Sequence, residues 1–199
     1  MESIEAAALA RNDRYLREFV EALELCPFAR KCRESGRLAR RVLRGERPAE
    51  ATAAAVRELE LTSEEQVEVA LLIYPEFAGD LRAFEEFRDD VRGWLRLFYC
   101  VAFHPALPMD LSDANRAVSF LRRSPDPTLQ LVRISTLDRV RSGRPEGSVY
   151  LDTSRSMPEL HDLEGPPSLS EQITQANLRT LRRHEPDRLA ALLAGLGRR

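Results

Sequence analysis

The residues whose types lend themselves to chemistry fall in two places. Cys26 stands in LCPFARK (25–31), with Arg30 and Lys31 about one turn beyond it. A thiol at the start of a helix with cations nearby ionises more readily and gains nucleophilicity. The bland alternative is a small apolar filler beside Phe28. His104 stands in FHPAL (103–107), followed by proline and close in sequence to Asp110. Its imidazole can serve as a general acid or base, paired with Asp110 or with the Cys26 thiol, or it can simply hold a structural hydrogen bond. Further on come Asn115, the cluster Arg122-Arg123-Ser124-Pro125 and then Arg133. Guanidinium forks and a hydroxyl suit a phosphate or carboxylate, although paired arginines are as readily a solvated face. Pro125 and Pro127 on either side of Asp126 stiffen this turn, which lowers the ordering cost of aiming Arg123 at a ligand.

Other chemistries lack their signatures. Cys26, Cys32, Cys100 and His104 match a zinc site in donor count, yet no Cys-x2-Cys spacing accompanies them, so no metal site is expected. There is no Walker loop, no Gly-x-Gly-x-x-Gly and no Gly-x-Ser-x-Gly elbow, and the sequence names no cofactor.

Composition bounds the partners. The formal net charge of -2 over 199 residues argues against nucleic acid, which calls for a strongly basic balance. Nearly all the basic residues are arginine, Lys31 being the only lysine, so only clustered arginines carry weight. No run of eighteen apolar residues occurs and the N-terminal stretch mixes charges into its apolar positions. Neither a membrane span nor a signal peptide is therefore expected. Three cysteines at no familiar spacing fit a reducing compartment, and a cytoplasmic protein is expected.

The elements that must position these groups read as follows. Tyr15, Leu16, Phe19, Val20 and Leu23 recur at helical spacing, and the helix stops before Pro27, which starts a short second helix with Cys26 as its cap and Gly36 at its close. RLARRVLRG (37–45) reads as an edge strand. Pro48 opens a helix with a face of small residues, and VEVALLIYP (67–75) reads as a central strand buried on both faces. Asp80 caps a helix with Leu81, Phe84, Phe87, Val91 and Trp94 on its core side. LFYCVAFHP (97–105) reads as a second buried strand, 106–128 as a loop, TLQLVRIS (128–135) as a further strand and STLDRVRSG as a short helix. A brief strand at Val149–Leu151 and an irregular lid or linker at 152–168 follow, then two C-terminal helices, the first opened by Ser168 and Glu171 and the second by Pro186.

Strands alternating with helices predict an α/β fold: a small sheet of three to four strands flanked by helices, with a C-terminal helical extension. The strands at 67–75 and 97–104 are expected as a central parallel pair. Residues 1–151 form the core domain and 152–199 pack on or beside it. In open sheets ligands collect at the carboxyl ends of strands, which places Tyr74-Pro75 and His104-Pro105 on one rim. The Arg122–Pro127 turn joins them there only if the strand at 128 runs antiparallel.

LCPFAR (25–30), LLIYP (71–75), FHP (103–105) and RSPDPTLQLVR (123–133), in this order, resemble an uncharacterised bacterial family catalogued as domain of unknown function fourteen-fifteen. The resemblance runs from about Tyr15 to Arg141. The family pattern N-R-S-P-Y-P-T-L-H-L-L-R-E is departed from at Asp126, Gln130 and Ile134, which replace tyrosine, histidine and glutamate. The resemblance implies where a site lies and assigns no reaction to it. Two functions follow from the residues: a small enzyme acting on an anionic metabolite through Cys26 or His104, with Asn115, Arg122, Arg123, Ser124 and Arg133 holding the anion, or a binding or protein-interaction module without chemistry.

Overall fold

The computed structural model describes residues 3–26, 29–46, 48–108, 110, 112, 114–142 and 169–197. Helix α1 (Ile4–Arg14) starts at Ser3, whose hydroxyl accepts from the Ala6 amide, and runs without a break into a π-helical segment, Tyr15–Glu21. The sequence spacing at 15, 16, 19, 20 and 23 therefore forms one continuous helical rod, but its second half is wound wider than an α-helix. Tyr15, Leu16 and Phe19 are buried along it. The chain then reverses through Glu24, whose φ of +52° is a strained conformation for a residue with a Cβ.

Helix α2 (Ala29–Glu34) begins where the Ala29 amide donates to the Cys26 carbonyl, and Gly36 ends it at φ +72°. Strand β1 (Leu38–Val42) is followed by α3 (Ala49–Leu61), β2 (Val69–Ile73) and α4 (Leu81–Arg92). The Asp80 side chain caps α4 by accepting from Ala83 N at 2.9 Å. Then come β3 (Phe98–Phe103), α5 (Ala114–Leu121), β4 (Thr128–Arg133), α6 (Ile134–Ser142), α7 (Leu169–Arg182) and α8 (Pro186–Gly197). Helix α5 lies inside the stretch expected to be loop. The expected strand at 149–151, the irregular segment at 152–168 and Ser168 lie outside the described residues.

The α/β fold with four strands is as expected, but the strand order corrects the pairing. The order is β1-β2-β4-β3, with β1 parallel to β2 and β4 antiparallel to both β2 and β3. Thus 67–75 and 97–104 run in the same direction without being neighbours, because β4 inserts between them. Strand β3 is an edge, with Tyr99 49% exposed. Tyr99, Val101 and Phe103 on its less buried side are as apolar as Phe98, Cys100 and Ala102, so hydrophobic content alone could not distinguish an edge from a centre.

Helices cover both faces. On one, Tyr15, Leu16, Phe19, Leu25, Ala117, Phe120, Leu178, Leu181, Leu189, Leu193 and Leu196 pack with Leu71 and Ile73, so α7 and α8 supply part of the core. On the other, Val56 and Leu59 of α3 and Phe84 and Val91 of α4 pack with Ala70, Leu72, Tyr74, Cys100, Leu129 and Leu131. Both edges are blunted by arginine. On β1, Arg40 pairs with Asp13 of α1 and Arg41 with Glu58 of α3, one from each layer. On β3, Arg92 donates through Nε and Nη2 to the outward Cys100 carbonyl, occupying a group that would otherwise template another strand. Among the described residues no helix is long and apolar enough to cross a membrane.

Candidate functional site

The antiparallel course of β4 meets the condition on which the expected site depended. Thr128, its first residue, is in register with Ile73 on one side and Phe103 on the other. The carboxyl ends of β2 and β3 and the turn before β4 therefore share a rim. The Tyr74 amide donates to the Pro127 carbonyl at 2.9 Å, and the His104 amide to the Arg122 carbonyl at 3.0 Å.

Within the turn, Asp126 is the hub. Its carbonyl accepts from Ser124 Oγ at 2.6 Å and from Thr128 Oγ1 at 2.9 Å, and its carboxylate takes Nε and Nη2 of Arg11 at 3.0 and 2.8 Å. A hydroxyl has a single proton to give. Ser124 spends its proton inside the turn, so it shapes the loop and is not a donor to an anion.

His104 is buried, with its ring tilted against Phe84 at 5.5 Å between centroids. Its Nδ1 accepts from the Ala106 amide at 3.1 Å, so the proton of the neutral ring is assigned to Nε2. Burial pushes its pKa below the ordinary histidine value, against a smaller opposite pull from Asp80 and Glu85. A neutral imidazole with Nδ1 occupied and Nε2 protonated can donate a hydrogen bond. Its Nδ1 lone pair is engaged by the Ala106 N–H, which weakens it as a base.

Arg122 follows α5, just before the Ser124–Asp126 turn. Its side chain is half-buried, its pKa is lowered first by burial, and Tyr99, Arg88 and Arg92 lie within electrostatic reach, the tyrosine raising it and the two arginines lowering it. Arg92 also sits over the Tyr99 ring, 5.7 Å from its centroid. The one carboxylate hydrogen-bonded to the group is Asp89, which holds Arg88 through two bonds of 2.9 and 3.1 Å and Arg92 at 3.3 Å. Among the described residues no carboxylate is hydrogen-bonded to Arg122. Three guanidinium groups thus lie within electrostatic reach of an exposed aromatic ring, with Asp89 hydrogen-bonded to two of them and Glu85 also acting on Arg88. Arg88 and Arg92 were not singled out from sequence. Their i,i+4 spacing beside the apolar positions 84, 87 and 91 was the available signal.

The remaining candidates scatter. Arg123 is half-buried, and its amide donates to the Phe120 carbonyl at 3.1 Å. Asn115 lies on α5, and its side chain is outside what is described. Arg133 is at the far end of β4, on the opposite rim. It donates to the carbonyls of Val67 and Thr62 and lies over the Phe98 ring at 4.6 Å, a structural clamp well away from the turn. Cys26 is exposed and follows Leu25, which packs with Tyr15 in one core layer, whereas His104 meets Phe84 in the other. Burial raises the other two thiols, Cys32 to about 11 and Cys100 to about 12. Among the described residues no three of His, Cys, Asp and Glu converge as metal ligands.

Fold and rim define a helix-covered α/β sandwich with an arginine-lined strand edge. The family model described as "Protein of unknown function (DUF1415)" matches residues 7–162, and the chain belongs to that family. The match is wider than the stretch that carried the resemblance in the sequence and takes in Arg11, the partner of Asp126. No curated protein and no solved structure matches the chain.

Proposed function

We propose that this chain is a binding domain for a small dianion, a phosphate or phosphate ester, held at the outer edge of β3 by Arg122 with Arg88 and Arg92. The observation that carries this reading is the half-buried Arg122 guanidinium, beside two further arginines, to which no carboxylate is hydrogen-bonded among the described residues. Partly desolvated guanidinium groups hold phosphate in two-pronged bonds, and an anion would relieve the mutual repulsion of three like charges. The backbone amide at position 104 donates to the Arg122 carbonyl and so helps to seat Arg122 at the end of β3. Binding is favoured over catalysis because Nδ1 of His104 already accepts the Ala106 N–H, and because Leu25, next to Cys26, and Phe84, against His104, belong to different core layers.

Calorimetric titration with inorganic phosphate and phenyl phosphate tests the reading. Arg122→Ala is expected to weaken binding by about 1.5 to 3 kcal/mol, the range for a hydrogen bond to a charged group. Unchanged affinity in Arg122→Ala, or no binding by the parent protein, would refute it.

A further inference from the structure

A second feature lies on the opposite rim, away from Arg122. The last turn of α3 and the turn between α4 and β3 bound an open groove of about 590 Å³, lined by Val56, Arg57, Glu60, Leu61, Trp94 and Arg96 among others. Two large apolar side chains stand unprotected in it: Leu61 is 88% exposed and Trp94 40%. Trp94, expected to belong to the core, falls just past the end of α4 at Arg92 and Gly93, which rotates it off the buried stripe. The groove is framed by a fixed staple, because the Glu60 carboxylate accepts the Arg96 and Leu97 amides at 3.0 Å each. Glu60 keeps its negative charge in the lining, but Arg57 and Arg96, neither of them ion-paired among the described residues, outnumber it and leave the groove net positive. The carbonyl end of α3 would ordinarily repel an anion, but Arg133 donates to the Thr62 carbonyl and Thr62 Oγ1 to that of Leu59, so these two oxygens are already satisfied.

We propose that this groove docks a short acidic segment of a partner protein, its bulky apolar side chain against Leu61 and Trp94 and its carboxylates on Arg57 and Arg96. Paired apolar anchors with a charged rim are the usual anatomy of a small protein interface. The charge complementarity selects an acidic occupant over a basic or neutral one.

Trp94 is the only tryptophan, so emission excited at the red edge of the indole band, where tyrosine does not absorb, reads this groove alone. The full chain is titrated with a short synthetic peptide alternating leucine and glutamate, and with the same peptide bearing lysine for glutamate. The acidic peptide is expected to shift the emission to the blue in a saturating, salt-weakened manner, and the lysine peptide to leave it unchanged. The double variant Arg57→Glu/Arg96→Glu and, independently, Leu61→Ser should each weaken the response by roughly tenfold or more, equivalent to about 1.4 kcal/mol. Both alter exposed side chains, and far-ultraviolet circular dichroism confirms that the fold is kept. An equal response to both peptides, an unchanged response in the charge-reversed variant, or no response to the acidic peptide would overturn the proposal. A blue shift on raising protein concentration alone, with faster sedimentation, would give the groove to a second copy and overturn it equally.

Discussion

Arg11, in the first helix, and Asp126, in the turn before the last strand, are joined by two hydrogen bonds of 2.8 and 3.0 Å across 115 residues of chain, with both side chains mostly buried. The pair ties the N-terminal rod to the rim. Because Asp126 also holds Ser124 and Thr128 through its carbonyl, the clamp fixes the backbone on which Arg122 and Arg123 are mounted. Arg11→Ala is expected to lower the free energy of unfolding by about 1.5 to 3 kcal/mol, since it leaves a largely buried carboxylate without its partner. Urea unfolding of Arg11→Ala, Asp126→Asn and the double variant measures the coupling. Simple additivity of the two single losses would show that the bonds contribute nothing as a pair.

The buried His104 makes stability depend on pH in a definite direction. Its folded pKa is depressed, so between that value and about 6.5, the unperturbed histidine value, the unfolded chain binds the extra proton. Its contribution is complete above the unfolded pKa and is lost as pH falls through the window below it. Thermal unfolding of the parent protein should therefore drop more steeply from pH 7 to 5 than that of His104→Asn, whose amide oxygen can still accept the Ala106 N–H. Parallel curves for the two proteins would rule out a depressed imidazole.

Much of this arrangement was legible in the residues. Asp80 announced the start of α4, Pro48 that of α3, and the near-continuous apolar run of β2 its central place, since each rests on local backbone chemistry or on burial from two sides. The order of the strands was not legible. It depends on β4 pairing with both β2 and β3, and no local property of TLQLVR specifies two partners. Helix α5 went unread because its eight residues sit among prolines and polar turns, although Ala117 and Phe120 at helical spacing mark its buried face. Trp94 continued the apolar period of α4 in sequence, but the helix stops before it. The rim was found and its roles were not, because the bonds from Ser124 to the Asp126 carbonyl and from Ala106 to Nδ1 depend on backbone geometry that residue types leave open.

The three thiols should separate cleanly. Cys26 is exposed, while burial holds Cys32 at about 11 and Cys100 at about 12. Since the thiolate is the reactive form, iodoacetamide near neutral pH should alkylate Cys26 in the native protein and reach Cys32 and Cys100 only on unfolding. Peptide mapping after partial labelling checks this. Early modification of Cys100 would mean that the face packed against Phe84 and Leu131 opens far more readily than its burial implies.

Arg133 and Arg122 offer the sharpest contrast, because both were candidates for holding an anion and the fold gives them opposite situations. Arg133 satisfies the Val67 and Thr62 carbonyls and covers the Phe98 ring, joining the loop after α3 to the end of β4. Arg133→Met keeps the stem and removes the donors, which strands two carbonyls and forfeits the cation–π contact. The expected loss is roughly 2 to 4 kcal/mol of stability, with phosphate affinity unchanged. Arg122→Ala should do the reverse, weakening phosphate while leaving the unfolding midpoint nearly in place or raising it, since it relieves repulsion with Arg88 and Arg92. Chemical denaturation and calorimetric titration of both variants read the two effects separately. A stability loss in Arg122→Ala with phosphate affinity intact would make it, like Arg133, a part of the scaffold.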